Sequence, residues 1–141
     1  MEQKQKFKFP IFGMLIVGII VMIFTDLERS NENNYIEMMV LEDTITTRGL
    51  YLRINNNTPD IYSYGGMFHL EIKEEGLWEV FGQETAFLSV EYLIAPRSYL
   101  DLYKDLNIFQ QEIVSGHYRI LKPVNRQGFE EITLTAEFVI P

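Results

Sequence analysis

Cysteine is absent from the 141 residues, which excludes disulfides, thiol nucleophiles, thiolate-ligated zinc and the lipid-modified cysteine of a bacterial lipoprotein. Positive charge is scarce. Twelve Lys and Arg against 20 Asp and Glu leave a net charge of -8 at pH 7, a poor balance for a chain whose affinity comes from neutralising phosphates, so nucleic acid is not an expected partner. Only two histidines are present, too few on their own for the three or four converging ligands of a metal site. The chain also lacks a Gly-x-Ser-x-Gly elbow, a His-Glu-x-x-His pair and a glycine-rich phosphate loop, so no catalytic residue, cofactor or small-molecule substrate is expected. What is there is ordinary in bulk: 47% apolar and 23% charged residues fit a folded chain and exclude wholesale disorder. The length suits one domain rather than a two-domain enzyme.

The first 25 residues are unlike the rest. Lys4, Lys6 and Lys8 precede an unbroken apolar run from Ile11 to Phe24, extended to residues 9–25 by Phe9, Pro10 and Thr25. As a helix this run would be about 25 Å long, slightly short of a hydrocarbon core of roughly 30 Å. Its end, Val21 to Thr25, lacks the small residues of a signal-peptidase site, which favours an uncleaved anchor over a secreted, cleaved chain. The expected organisation is a basic cytoplasmic tail at residues 1–8 and a transmembrane signal anchor at 9–25, with Ile11, Leu15, Ile19 and Ile23 as membrane-anchor residues. A polar linker at 26–34 and an outer domain at 35–141 follow. Lysines are retained on the cytoplasmic side of a membrane segment, so Lys4, Lys6 and Lys8 set the amino terminus inside. The expected location is the cell membrane, single-pass, with the carboxyl-terminal domain extracytoplasmic and the lipid bilayer as first partner. Removing Glu2 and the three lysines leaves 19 acids against 9 bases outside, which disfavours adhesion to anionic surfaces by simple attraction.

From Tyr35 onward the dominant pattern is strict alternation, the period of strands. Leu50, Leu52 and Ile54 share one face, with Tyr51, Arg53 and Asn55 on the other. The stretch Asn55 to Asp60 is turn chemistry, since Asn tolerates a left-handed backbone and Pro59 cannot feed a central ladder. Phe68, Leu70 and Ile72 alternate with Met67, His69 and Glu71, and Glu74-Glu75-Gly76 predicts a tight hairpin into Leu77 to Phe81. Further strands are expected within Ala86 to Leu93, near Tyr99 to Tyr103 and from His117 to Lys122, with a helical turn near Lys104 to Phe109. Ile132, Leu134, Ala136, Phe138 and Ile140 form the clearest alternation of all. Seven or eight short strands with no long helix predict an all-β antiparallel sandwich.

Three segments carry a resemblance that covers Tyr35 to Pro141: INNNTPDIYSYGGMFHLE from Ile54 to Glu71, KEEGLWEV from Lys73 to Val80, and GHYRILKPV from Gly116 with TLTAEFVIP ending at Pro141. In order and spacing the chain resembles the bacterial immunoglobulin-like domains of small membrane-anchored or secreted Gram-positive envelope proteins. The resemblance implies an immunoglobulin-like sandwich in an extracytoplasmic setting and supplies no catalytic residues. It departs from that pattern at Arg97, where a Gly is expected after Pro96, and at the Val-Ser turn before Gly116.

His69 and His117 stand out of phase with the apolar faces of their strands, so exposed or edge positions are expected. The pairs Glu74-Glu75 and Glu130-Glu131 sit at turns, where solvated charge is the ordinary outcome, and Asp101, Asp105 and Glu112 lack EF-hand spacing. No metal site is expected. Trp78 and Tyr118 are assigned to the core and its corner. Tyr62, Tyr64, Gly65 and Gly66 form the candidate binding loop, because tyrosines beside glycines give contact area at low entropic cost; the competing reading packs one Tyr on the end of the sandwich. The functional expectation is a non-catalytic, membrane-tethered binding or structural module at the bacterial cell envelope, with an envelope or membrane protein as possible partner. The alternative is an accessory or regulatory subunit of a larger membrane protein, paired through its anchor helix, where Gly13 and Gly18 permit close approach.

Overall fold

The alternation of Leu50, Leu52 and Ile54 puts all three side chains out of contact with water, each burial worth about 2 kcal/mol, and this fixes the register of the strand that carries them. In the computed structural model the described residues are 35–83, 87, 89–129 and 131–141. The expected tail, anchor and linker, with Ile11, Leu15, Ile19, Ile23, Lys4, Lys6, Lys8, Gly13 and Gly18, lie outside them, as do Ala86, Leu88 and Glu130. Among the described residues no helix is long and apolar enough to cross a membrane.

Among the described residues nine strands form: β1 (Ile36–Val40), β2 (Gly49–Asn56), β3 (Tyr62–Tyr64), β4 (His69–Glu74), β5 (Leu77–Val80), β6 (Tyr92–Ile94), β7 (Ser98–Asp105), β8 (Gly116–Arg126) and β9 (Glu131–Ile140). They make two antiparallel sheets, a three-stranded one ordered β1-β2-β7 and a six-stranded one ordered β5-β4-β8-β3-β6 with β9 on β8. The 11-residue β8 organises the larger sheet. One side pairs along its length with β9, from Gly116 opposite Ile140 to Asn125 opposite Glu131. The other side is shared, with Tyr118 to Leu121 on β4 and Asn125 and Arg126 on β3.

The count exceeds the expected seven or eight because Ile36–Val40 and the Tyr-x-Tyr step are strands as well, while the strand expected within Ala86 to Leu93 is β6, at the end of that region. The helical turn near residues 104–109 contracts to a 3-10 turn, Leu106–Ile108. There β7 runs on to Asp105, whose carboxylate accepts the Asn107 N–H at 2.9 Å. Glu75 and Gly76 both have positive φ, 49° and 83°, the mirror-image turn that matches strand twist in a two-residue hairpin. Arg97 also has positive φ, 52°, so the backbone keeps the left-handed geometry that the family pattern meets with Gly. Its N–H bonds Thr58 O at 3.2 Å and its guanidinium reaches Asn57 O.

The core lies between the sheets: Leu50, Leu52 and Ile54 of β2 face Tyr118, Ile120 and Val124 of β8 and Leu134, Ala136, Phe138 and Ile140 of β9. Tyr118 is fully buried, stacked on Phe138 at 5.6 Å and edge-on to Phe81 at 5.4 Å. Its hydroxyl donates to Val114 O, four residues upstream, at 2.8 Å, the corner geometry of immunoglobulin sandwiches. Trp78 is not a core residue. In the four-residue edge strand β5 it stands half-buried on the outer face, beneath the guanidinium of Arg119 at 4.5 Å and beside His117 at 5.2 Å.

Candidate binding surfaces

Tyr62 and Ser63 are buried within β3 and Tyr64 is half-buried, so the tyrosines of the expected loop belong to a strand and only Gly65 and Gly66 lie in the connection that follows. A feature the sequence reading missed governs that connection. Lys122 is fully buried in the core-facing phase of β8, and its ammonium donates to Gly65 O at 2.7 Å and Met67 O at 2.9 Å. It also lies 5.2 Å from the Tyr64 ring centroid, and Tyr64 stacks on Tyr92 at 5.4 Å. Lys104, buried in the core-facing phase of β7, stands over Phe68 at 5.0 Å. Burial, and secondarily the neighbouring Lys104 charge, pulls the Lys122 pKa down to about 7. Burial lowers Lys104 as well and pushes the Tyr64 phenol up. The segment from Tyr62 to Met67 is thus pinned to the core by a lysine. Counting phase would have found both lysines, since Leu100-Leu102-Lys104 and Tyr118-Ile120-Lys122-Val124 each continue an inward row.

The outer face of the three-stranded sheet carries three exposed tyrosines. Strand pairing places Tyr51 opposite Tyr103, Arg53 opposite Asp101 and Asn55 opposite Tyr99. Tyr51, Tyr103 and Tyr99 are 43%, 52% and 63% exposed. The Tyr51 and Tyr103 rings meet at 5.3 Å, and Arg53 makes a bidentate pair with Asp101, both contacts 2.8 Å, while its guanidinium covers Tyr99 at 4.5 Å. That pair holds the Asp101 carboxyl below the ordinary carboxylate range. Met39 of β1, opposite Arg53, extends the exposed face. The sequence signal for this surface is the outward half of the same alternation that builds the core.

The histidines stay apart. His117 Nε2 meets Glu137 at 2.9 Å, whereas Glu71 is taken by Arg119, and His69 is half-buried in β4 with a partner of its own. Among the described residues no group of three or more His, Asp or Glu side chains could hold a metal ion. Asn56, in the Asn55 to Asp60 turn, is fully buried. Its amide donates to Asp60 O and Ala95 O, both at 2.9 Å, and its oxygen accepts from Thr58 N at 3.1 Å and Thr58 Oγ1 at 2.7 Å. It is the keystone of a turn.

Two antiparallel sheets with a core packed between them and a corner tyrosine define an immunoglobulin-like sandwich. The match to the bacterial Ig-like domain family spans residues 32–139, and the chain belongs to that family. Its members are generally non-catalytic binding or structural modules. No curated protein matches the chain. Among solved structures, a Pseudomonas fluorescens alkylpurine DNA glycosylase bound to DNA containing an abasic site analog shares 13% identity over 82% of this chain, with a TM-score of 0.36. The chain spans about a third of that protein, 33%, and likeness at this level bears on neither fold nor function.

Proposed function

We propose that the chain is a membrane-tethered, extracytoplasmic module of the bacterial cell envelope that binds a protein partner and performs no chemistry of its own. The observation that carries the binding role is the outer face of β1-β2-β7. Tyr, Arg and Met are the residue types enriched at protein interfaces, and rigid, partly exposed tyrosines give contact area with little entropy to lose. Arg53 and Asp101 neutralise each other there, so neither of these two charges is left unpaired when a partner covers them, and Glu37 on the same face accepts from the Asn55 amide at 3.2 Å. Tethering is supported by the basic tail and the apolar run at 9–25, and the outward orientation by Lys4, Lys6 and Lys8.

Protease added to intact cells is expected to remove the domain; full protection contradicts the orientation. Crosslinking on intact cells with mass spectrometry, on the full-length chain and on a version with residues 1–25 exchanged for an unrelated anchor, locates the binding surface. A partner retained by both versions supports the sandwich. A partner lost only in the exchanged version moves the function to the anchor helix and an accessory-subunit role.

A further inference from the structure

One end of the sandwich gathers an apolar tip where the chain enters the domain. The Asn57 N–H donates to Tyr35 O at 3.0 Å, tying the entering chain to the β2-β3 connection, and the Gln127 N–H donates to Ile61 O at 3.2 Å, tying that connection to the β8-β9 turn. The turn is closed by the Phe129 N–H on Arg126 O at 2.9 Å, with Gly128 at φ 78°. It holds Phe129 67% exposed. Arg126 stacks on the Phe129 ring at 4.2 Å while pairing with Asp60 at 2.7 Å. Ile132 continues the inward row of β9 but is exposed, as are Ile61 and Tyr35. A depression of about 670 Å³ lies between Phe129, Ile132 and Tyr62. Four exposed apolar side chains thus share a hydrogen-bonded pole, presented on short turns.

The geometry points to this pole as a contact for the lipid surface of the membrane that holds the anchor, with Phe129 at its tip in the interfacial region. The inference rests on the anchor reading above. Nine residues, 26–34, separate the expected anchor from Tyr35, and nine residues span at most about 32 Å. The pole at which the chain enters is therefore confined near the bilayer, and a weak contact gains occupancy because the encounter is intramolecular. An aromatic ring backed by an arginine whose charge is already paired suits the headgroup level, where amphipathic rings collect. The attraction is apolar. With 19 acids against 9 bases outside the expected tail and anchor, and Glu131 exposed beside Ile132, anionic headgroups add nothing to it.

The native chain has no cysteine, so one introduced cysteine carries a unique spin label. Full-length Gln127→Cys and Thr47→Cys, the latter at the other end of β2, are reconstituted into vesicles of zwitterionic lipid and assayed by flotation. Collision of each label with oxygen and with a water-soluble nickel chelate is then compared. The expected result is flotation with the vesicles, an oxygen-to-nickel ratio higher at 127 than at 47, and return of the 127 value to that of 47 on Phe129→Asp, with no dependence on salt. Equal ratios at 127 and 47 in floating protein overturn the lipid contact and leave the anchor standing. A chain that does not float overturns both.

Discussion

Lys122 is the residue at which burial and chemistry conflict most sharply. Its pKa in the fold is about 7, against an ordinary 10.5, so between those values the unfolded chain binds the proton more tightly and stability rises with pH. Below about pH 7 the burial penalty is present in full. Each pKa unit corresponds to about 1.4 kcal/mol, so the change across this window amounts to several kcal/mol. Urea unfolding of the full-length chain in micelles, followed through the single Trp78, is expected to show stability climbing from pH 7 to 10 in the native chain and a flatter profile in Lys122→Met. Parallel profiles would remove the lysine as the cause. Tyr118→Phe keeps the ring packing but leaves Val114 O without its partner, a loss of about 1–2 kcal/mol, read from the same unfolding curve. Tyr118 was legible in the sequence because the Gly-x-Tyr-Arg-Ile segment pointed to a corner tyrosine. Lys122 and Lys104 were not, because charged residues are read as exposed unless their phase is counted against the inward row.

At the level of elements, alternation locates β2, β4 and β9 within a residue or two, since each buries one face and exposes the other, and it finds the start of β8 but stops at Lys122, four residues short of its end at Arg126. Where strands are three or four residues long the pattern has too few terms: β3 reads as a loop, β6 spreads over Ala86 to Leu93, and Trp78 of edge strand β5 reads as a core residue. Two turns show how local chemistry holds these elements. Glu75 carries a positive φ without glycine's freedom and is exposed, so Glu75→Asn should stabilise the β4-β5 hairpin by about 0.5 kcal/mol, seen as a small rise in the unfolding midpoint with an unchanged slope. Asn56 satisfies two donors and two acceptor contacts in the β2-β3 turn. Asn56→Ala leaves buried backbone groups unpaired and is expected to cost about 3 kcal/mol; a cost under about 1 kcal/mol in the same assay would show that water replaces the side chain.

For the molecule as a whole, composition and period were enough for an all-β sandwich, and the matched segments for its family, because both depend on patterns that run the length of the domain. The proposed binding surface is harder to read. A tyrosine at an outward position looks like any solvated residue until strand pairing sets Tyr51 beside Tyr103 and Arg53 beside Asp101, and the β2-β7 register that does this joins residues about 50 positions apart in the chain. The same pairing gives the sandwich two distinct ends, one where the chain enters, the other at Gly49 of β2. The proposed role of the β1-β2-β7 face is to bind a protein partner at the envelope. Crosslinking on intact cells with mass spectrometry, comparing the native chain with Tyr51→Ser, Tyr99→Ser, Tyr103→Ser, tests it most directly, Trp78 fluorescence verifying that the variant is folded. The partner captured by the native chain is expected to be lost from the folded triple variant. Capture of the same partner at the same yield would contradict that role.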